Sequence, residues 1–220
     1  MASPPEQTRD NSAEPVARRE LARRPLFFRL THGSTKRCPG KDECRRLHIF
    51  SSVTTSGSLT LRDVRDEDLP VLFEHWADPV SVQMAAFTSP DQMDREAFER
   101  RWSRLRADEA VIARAIVVDG EVAGTIGSWG DPGEREVTYW IGRAYWGKGI
   151  ATDALKAFLA VDPSRPLHAR VAHDNVGSRR VLEKCGFRVI ATERGFAEAR
   201  DAEIEELVLR LDGSGSVEQV

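Results

Sequence analysis

Gly147 and Gly149 flank Lys148 in the run Tyr145-Trp-Gly-Lys-Gly-Ile-Ala-Thr152. An alternating stretch, Glu-Val-Thr-Tyr-Trp-Ile-Gly142, precedes it, and a run rich in Ala, Leu and Phe follows. That order reads as strand, glycine turn, helix. A helix N-terminus carries unpaired N–H groups and the positive end of the helix dipole. Glycines there remove the Cβ atoms that would hold a ligand off, and they permit positive φ. The product is an anion site suited to a pyrophosphate. The spacing is neither Gly-x-Gly-x-x-Gly nor Gly-x-x-x-x-Gly-Lys-Ser/Thr, so dinucleotide and P-loop readings lose their main support. A glycine pair of this kind also suits an ordinary strand–helix turn.

A second segment separates the two readings. Asn175-Val-Gly-Ser178-Arg-Arg-Val-Leu-Glu-Lys-Cys-Gly186-Phe187 resembles the second signature of the GNAT superfamily of acetyl-CoA-dependent N-acetyltransferases, Asn-x-x-Ser/Ala-x-x-x-x-x-Lys-x-Gly-Phe. Trp146-Gly-Lys-Gly-Ile-Ala151 resembles that family's pyrophosphate loop, Gln/Arg-x-x-Gly-x-Gly/Ala, and Glu136–Gly142 resembles the strand before it. The resemblance covers residues 58–212. It runs toward the branch that includes ribosomal-protein N-terminal acetyltransferases, which Leu59-Thr-Leu-Arg-Asp-Val and the Asp119-Gly120 hairpin also fit.

The resemblance implies acetyl-CoA as acyl donor and a primary amine as acceptor, either a protein N-terminus or a small-molecule amine, reacting directly in a ternary complex. It implies backbone contacts to pantetheine at Trp140 and Ile141. The turn Trp146, Gly147, Lys148, Gly149, Ile150, Ala151 and Thr152 would hold the pyrophosphate, and Asn175 and Ser178 would sit at the pantetheine or acetyl end. Glu136 is the candidate base, by the family's habit of placing a glutamate on this strand; otherwise it is an exposed strand-end carboxylate beside Glu134 and Arg135. Ser178 is the candidate acid, or an ordinary first-turn serine. The family's tyrosine before Glu-Lys, its usual thiolate acid, is Leu182 here. That departure makes Tyr139 a second candidate acid, unless alternation buries it as core. It also leaves open a non-catalytic acyl-CoA sensor or scaffold.

Other elements must position these residues. Residues 58–64 alternate as a strand. Asp66 reads as the cap of a helix carrying Leu69, Leu72, Phe73 and Trp76, with Pro79 after its end. A second helix spans 93–109, with Phe98, Trp102 and Leu105 on its core face. Strands follow at 110–118 and 121–129, joined by Asp119-Gly120. After the glycine turn and its helix come a strand over 167–172, a helix over 175–185, and strands over 187–193 and 204–211. The fold class is mixed α/β (α+β). By the resemblance it is a mostly antiparallel sheet of about seven strands flanked by helices, with a V-shaped split between the fourth and fifth strands.

Of the 220 residues, 40% are hydrophobic and 30% charged, with net charge −3. No run approaches the roughly 20 apolar residues of a membrane span. The N-terminus lacks an apolar signal core, and three cysteines make no disulfide scaffold. The expectation is a cytoplasmic protein, monomer or homodimer, binding neither membrane nor nucleic acid. Residues 1–57 hold 11 Lys+Arg against 6 Asp+Glu, and the remainder holds 21 against 29. Residues 1–57 read as a disordered basic extension or a misassigned start, and 213–220 as a flexible tail. His32, Cys38, Cys44 and His48 resemble the end of a zinc finger, but the set is incomplete, so no metal is expected.

Overall fold

Strand-period alternation through most of the chain's second half builds a single sheet, and the computed structural model describes it over residues 58–213. The elements run β1 (Leu59–Arg62), α1 (Leu69–Trp76), α2 (Pro79–Ala85), α3 (Arg95–Ala107), β2 (Ile112–Val118), β3 (Glu121–Trp129) and β4 (Glu136–Ile141). Then follow α4 (Ile150–Val161), β5 (Leu167–Ala172), α5 (Val176–Lys184), β6 (Arg188–Ala197) and β7 (Ala202–Leu211). Residues 1–57 and 214–220 lie outside the described residues, and so do the readings of a basic extension, the His32–His48 set and the tail.

The seven strands lie in the order β1-β2-β3-β4-β5-β7-β6. Every neighbouring pair is antiparallel except β4 and β5. These two run parallel and are in register only at Glu136 and His168, beside a bond from His168 N–H to Arg135 O of 2.8 Å. Beyond that point β4 and β5 part, which is the expected V-shaped split.

Alternation assigns each strand residue to one of two cores. On one face Leu155 and Phe158 of α4 and Leu182 of α5 pack on Ile126, Val137, Leu167 and Leu209. On the other, Trp76, Phe98 and Trp102 of α1 and α3 pack on Ala115 and Val117. Each such large side chain contributes about 2–3 kcal/mol of burial. A smaller cluster, Ala86, Phe87, Ala172 and Ala197, seals the far end of the sheet. The four helical aromatics expected in the core are there: Phe73 and Trp102 both pack against Phe98, at 5.4 and 6.2 Å between centroids, and Trp76 stacks on Trp140 at 4.8 Å.

The structure corrects several element readings. Pro79 follows the end of α1 as expected, but it also opens a short further helix, α2, where proline's missing N–H costs nothing, and Asp78 caps that helix by accepting from Ser81 N–H at 2.9 Å. Asp66 is not the cap of α1. Residues 66–68 form a 3-10 turn, and Asp68 is the buried carboxylate, bound by Arg62 at 2.6 and 2.8 Å and by Arg65 N–H at 2.8 Å. The helix expected from 93 starts at Arg95, where Asp94 accepts from Ala97 N–H at 3.1 Å. Strands β6 and β7 are each 10 residues long, because they continue to the tight turn at Glu198–Arg200.

Candidate active site

The glycine turn is built as its residue types require. Arg143–Tyr145 make one 3-10 turn after β4, and Trp146 Nε1–H donates to Ile141 O at 2.8 Å, folding the turn back on the strand. Gly147 and Gly149 have φ of +72° and +81°, a region costly for a side chain with Cβ. Gly149 is the residue before α4, and its carbonyl accepts from Thr152 N–H and Asp153 N–H at 2.9 and 3.1 Å. The N–H groups from Gly147 to Ala151 have no backbone partner among the described residues. Lys148 projects from the turn, its ammonium 5.8 Å from the Tyr145 ring centre.

From this turn a cavity of about 570 Å³ runs into the split. Gly147, Gly149, Ile150, Ala151 and Thr152 line its outer end; Tyr139, Trp140 and Ile141 of β4 line one wall; Asn175, Gly177 and Ser178 line the other. Trp146 also borders it, whereas Lys148 does not. Arg180 and Lys184, one helical turn apart on α5, add positive charge to the lining. Sequence reading passed over them because basic residues on a short helix look like a solvated face; their spacing was the available signal.

A second, smaller cavity, about 100 Å³, adjoins the larger one. Phe87, Thr88, Gln92, Thr138, Arg170 and Ala172 are among its lining. The two cavities share Ala85, Tyr139, Trp140, Asn175 and Ser178.

At that junction the hydrogen bonds are specific. Asn175 caps α5, accepting from Ser178 N–H at 3.0 Å, and its amide donates to Met84 O at 3.3 Å, tying α5 to α2. The Tyr139 hydroxyl lies 2.7 Å from Ser178 Oγ and donates to Ser178 O at 3.1 Å. Burial holds the Tyr139 phenol above its ordinary range, against the pull of the Ser178 hydrogen bond, so it stays protonated. Trp140 faces the other way, its Nε1–H donating to His75 O at 2.7 Å. Leu182, where the family's phenol would stand, is 1% exposed.

Glu136 sits near the narrow end of the split and is not a free strand-end carboxylate. It accepts from Arg170 Nε at 3.2 Å. Arg170 Nη1 also reaches Glu193 at 2.6 Å and Glu206 at 3.2 Å. Burial pushes the Glu206 carboxyl up to about 7, with Arg170 pulling it down and Glu136 and Glu193 pushing it further up. Nor is Arg135 part of a solvated row. It turns inward to Asp162, Nε to Oδ2 at 2.8 Å. Glu198 is exposed on its turn, where Arg200 ties the hairpin to Asp174 at 2.6 Å and to Gln83 O at 2.9 Å. Cys185 is half-buried, its thiol pushed up by burial. His75 Nε2 lies 3.1 Å from Val122 O, a structural contact.

Comparison with known proteins bears on these elements. A family model described as an acetyltransferase (GNAT) domain matches residues 58–188. An uncharacterized N-acetyltransferase, p20, of Bacillus licheniformis is 26% identical over 153 residues, covering 64% of this chain and 85% of the relative. The crystal structure of Mycobacterium smegmatis RimJ in complex with CoA-disulfide is 26% identical, with a TM-score of 0.60, covering 74% of this chain and 85% of that one. A ribosomal-protein-alanine N-acetyltransferase from Brucella melitensis shares the fold at 18% identity, with a TM-score of 0.61, over 70% of this chain and 99% of that one. A family match over that span, taking in β4, the glycine turn, α4, β5 and α5, makes the chain a member of the GNAT acetyltransferase family.

Proposed function

We propose that the protein is an acetyl-CoA-dependent N-acetyltransferase that moves the acetyl group to a primary amine by direct attack in a ternary complex. The observation that carries this reading is the pair of adjoining cavities that meet at Tyr139, Trp140, Asn175 and Ser178. One is long, with open N–H groups and basic side chains at its mouth, which fits a pyrophosphate and an extended arm. The other is small and lined mostly by aromatic and small side chains, with Thr88, Gln92, Thr138 and Arg170 among its polar groups, which leaves room for a small acceptor. A donor in the first and an acceptor in the second would meet only at the junction.

Acetyl-CoA supplies the thioester. The N–H groups from Gly147 to Ala151, with Arg180 and Lys184, hold the diphosphate. Beyond Glu136 the β4 strand has no partner in β5, which has already turned away, so its backbone groups on that side are available to the pantetheine amides, although Ile141 O already accepts from Trp146 Nε1–H at 2.8 Å. Asn175 sets the start of α5 and so fixes Ser178. The Ser178 hydroxyl delivers a proton toward the leaving sulfur, and the Tyr139 phenol orients and resupplies it. Carboxylates around Arg170, Glu136 among them, take the proton of the incoming ammonium. Holding amine and thioester at one junction lowers the entropic part of the barrier, a contribution of several kcal/mol in well-oriented systems, up to about 7–11.

The test is CoA release with a panel comprising an alanine-initiated peptide, a free amino acid, spermidine and an aminoglycoside, followed by mass spectrometry of the product. A product heavier by one acetyl group supports the reading. Tight acetyl-CoA binding by calorimetry with no acetylated product from any amine would replace it with the sensor or scaffold.

A further inference from the structure

Four aromatic side chains line the smaller cavity, and two of them, Trp76 and Phe87, do not border the larger one. Trp76 is fixed by its stack on Trp140 at 4.8 Å and by the Arg101 guanidinium, 5.4 Å from its ring centre. Phe87 lies on the loop between α2 and α3 and is fixed by what its neighbours lack. Its ring packs over Gly195 of β6, where an added Cβ would come within 3.2 Å of the ring. The other buried members of its cluster, Ala86, Ala172 and Ala197, are all alanines.

The backbone is strained at the same place. Ala86 has φ of +65° and ψ of −57°, and Phe87 N–H donates to Ala85 O at 2.8 Å. That is a γ-turn of the rare, costly hand, at a residue with a Cβ. Ala86 is fully buried, and its carbonyl accepts from Ala199 N–H at 3.1 Å, so the β6–β7 turn holds the strained peptide in place. Strain kept by its surroundings at a cavity wall points to a side chain whose position matters. The space left is small: about 100 Å³, the room of about three waters at about 30 Å³ each. An amine nitrogen, its α-carbon and one methyl group fill it; an isobutyl group in place of the methyl does not fit.

We propose that Phe87 sets the size of the acceptor, admitting primary amines whose α-carbon carries, apart from the chain leading back out of the cavity, nothing larger than a methyl group. This deepens the acetyl-transfer reading and rests on it. The amine must bring its nitrogen to the junction at Tyr139, Trp140, Asn175 and Ser178. An α-substituent too large for the space beside the Phe87 ring keeps the nitrogen from arriving there, so the selection falls on kcat/KM for the acceptor and not on the donor.

The other walls of the cavity are less free to set this limit. Val137, Ala169, Val171 and Leu182 belong to the main core, and Trp76 joins α1 to β4 through Trp140. A change of volume at any of them disturbs the sheet or the helices packed on it. Phe87 is backed by the small alanine cluster and by Gly195 of the β6–β7 hairpin. The cavity can therefore be widened or narrowed at this ring while the donor side stays as it is.

The experiment compares kcat/KM for the panel's best acceptor in three forms, with hydrogen, methyl or isobutyl on the α-carbon; for a peptide these are chains starting with glycine, alanine and leucine. Wild type should accept the first two and disfavour the third by about a hundredfold, within the reach of a tight apolar pocket. Phe87→Ala should raise kcat/KM for the isobutyl form by about tenfold or more, with calorimetric acetyl-CoA affinity within about twofold of wild type. Gly195→Ala should act in the opposite sense: its methyl presses the ring toward the cavity, so the methyl form should fall about tenfold against the hydrogen form. That arm keeps Phe87 and decides the matter if Phe87→Ala does not fold. A wild type indifferent to the isobutyl group, or a preference that either folded variant fails to move in the stated direction, overturns the assignment while leaving acetyl transfer standing. A wild type that acetylates no amine removes both.

Discussion

Asp162→Asn tests what holds the narrow end of the split. Asp162 follows α4 and is 1% exposed. It accepts from Arg135 Nε at 2.8 Å, from the Ser128 hydroxyl and from Ser164 N–H at 3.0 Å. Arg135, 11% exposed in its side chain, also donates to Ala110 O at 2.9 Å, and its own carbonyl receives His168 N–H, the tie between β4 and β5. Asparagine keeps the shape but leaves a guanidinium buried without its counter-charge, a loss of about 3–5 kcal/mol. The proton linkage gives a second magnitude. Burial pushes the Asp162 carboxyl up, but the bonds from Ser128, Arg135 and Ser164 outweigh it and bring it from 3.8 down to about 2. A fall of a little under two units is worth about 2 kcal/mol. Because the folded value is depressed, that stabilisation is fully present above 3.8 and is lost as pH falls toward 2; about half is gone at pH 3. Urea unfolding at pH 7 should therefore find the variant about 3 kcal/mol or more less stable, with Tm lower by about 6–12 °C. At pH 3 the gap should narrow by about 1 kcal/mol. A gap under about 1 kcal/mol at pH 7, or one indifferent to pH, would refute the reasoning.

The other outcomes concern the junction and its approach. Gly149→Asp adds a carboxylate at a position with φ of +81°, where even its Cβ would lie 4.0 Å from Asp153 Oδ2, so calorimetry should show acetyl-CoA affinity falling at least tenfold, about 1.4 kcal/mol, with circular dichroism retained; unchanged affinity would take the turn out of the site. Ser178→Ala should lower kcat by about tenfold to a thousandfold with KM for acetyl-CoA little moved, and Tyr139→Phe should add nothing further in that background. A silent Ser178→Ala hands the thiolate's proton to solvent. Leu182→Tyr, at a position 1% exposed, should cost about 1–3 kcal/mol in thermal unfolding with no gain in kcat; a faster enzyme would mean that a phenol at 182 is still wanted.

What the sequence disclosed is what a short stretch of backbone demands. Gly147 and Gly149 mark positive φ before a helix, a local need that could be read from neighbours in the chain. The helix starts that shifted, with the cap of α1 at Asp68 rather than Asp66 and α3 opening at Arg95 rather than 93, turn on where a first turn begins, which capping residues signal only to within a residue or two. Charges were harder. Arg135 stands between two glutamates and looked solvated, yet its partner Asp162 lies 27 residues on. Glu206 and Arg170, 36 residues apart, meet only through the register of β5 on β7. No periodicity separates an acidic residue on a solvated edge from one folded against an arginine, because the difference lies in which strand becomes its neighbour.

Leu182 is the departure that most weakened an enzymatic reading, and the packing gives it a physical setting. Ser178 and Leu182 are four residues apart on α5, so they share a face, and both border the smaller cavity with Tyr139. The Tyr139 side chain packs on the core that contains Leu182, while its hydroxyl reaches Ser178 across the split at 2.7 Å. A phenol entering from α5 would claim the space that the phenol from β4 already fills. One tyrosine fits beside Ser178, and in this chain the strand supplies it. A leucine at 182 is then the side chain that backs the ring without competing for its hydrogen bond. The absence of a tyrosine at 182 and the presence of one at 139 are two sides of a single packing choice.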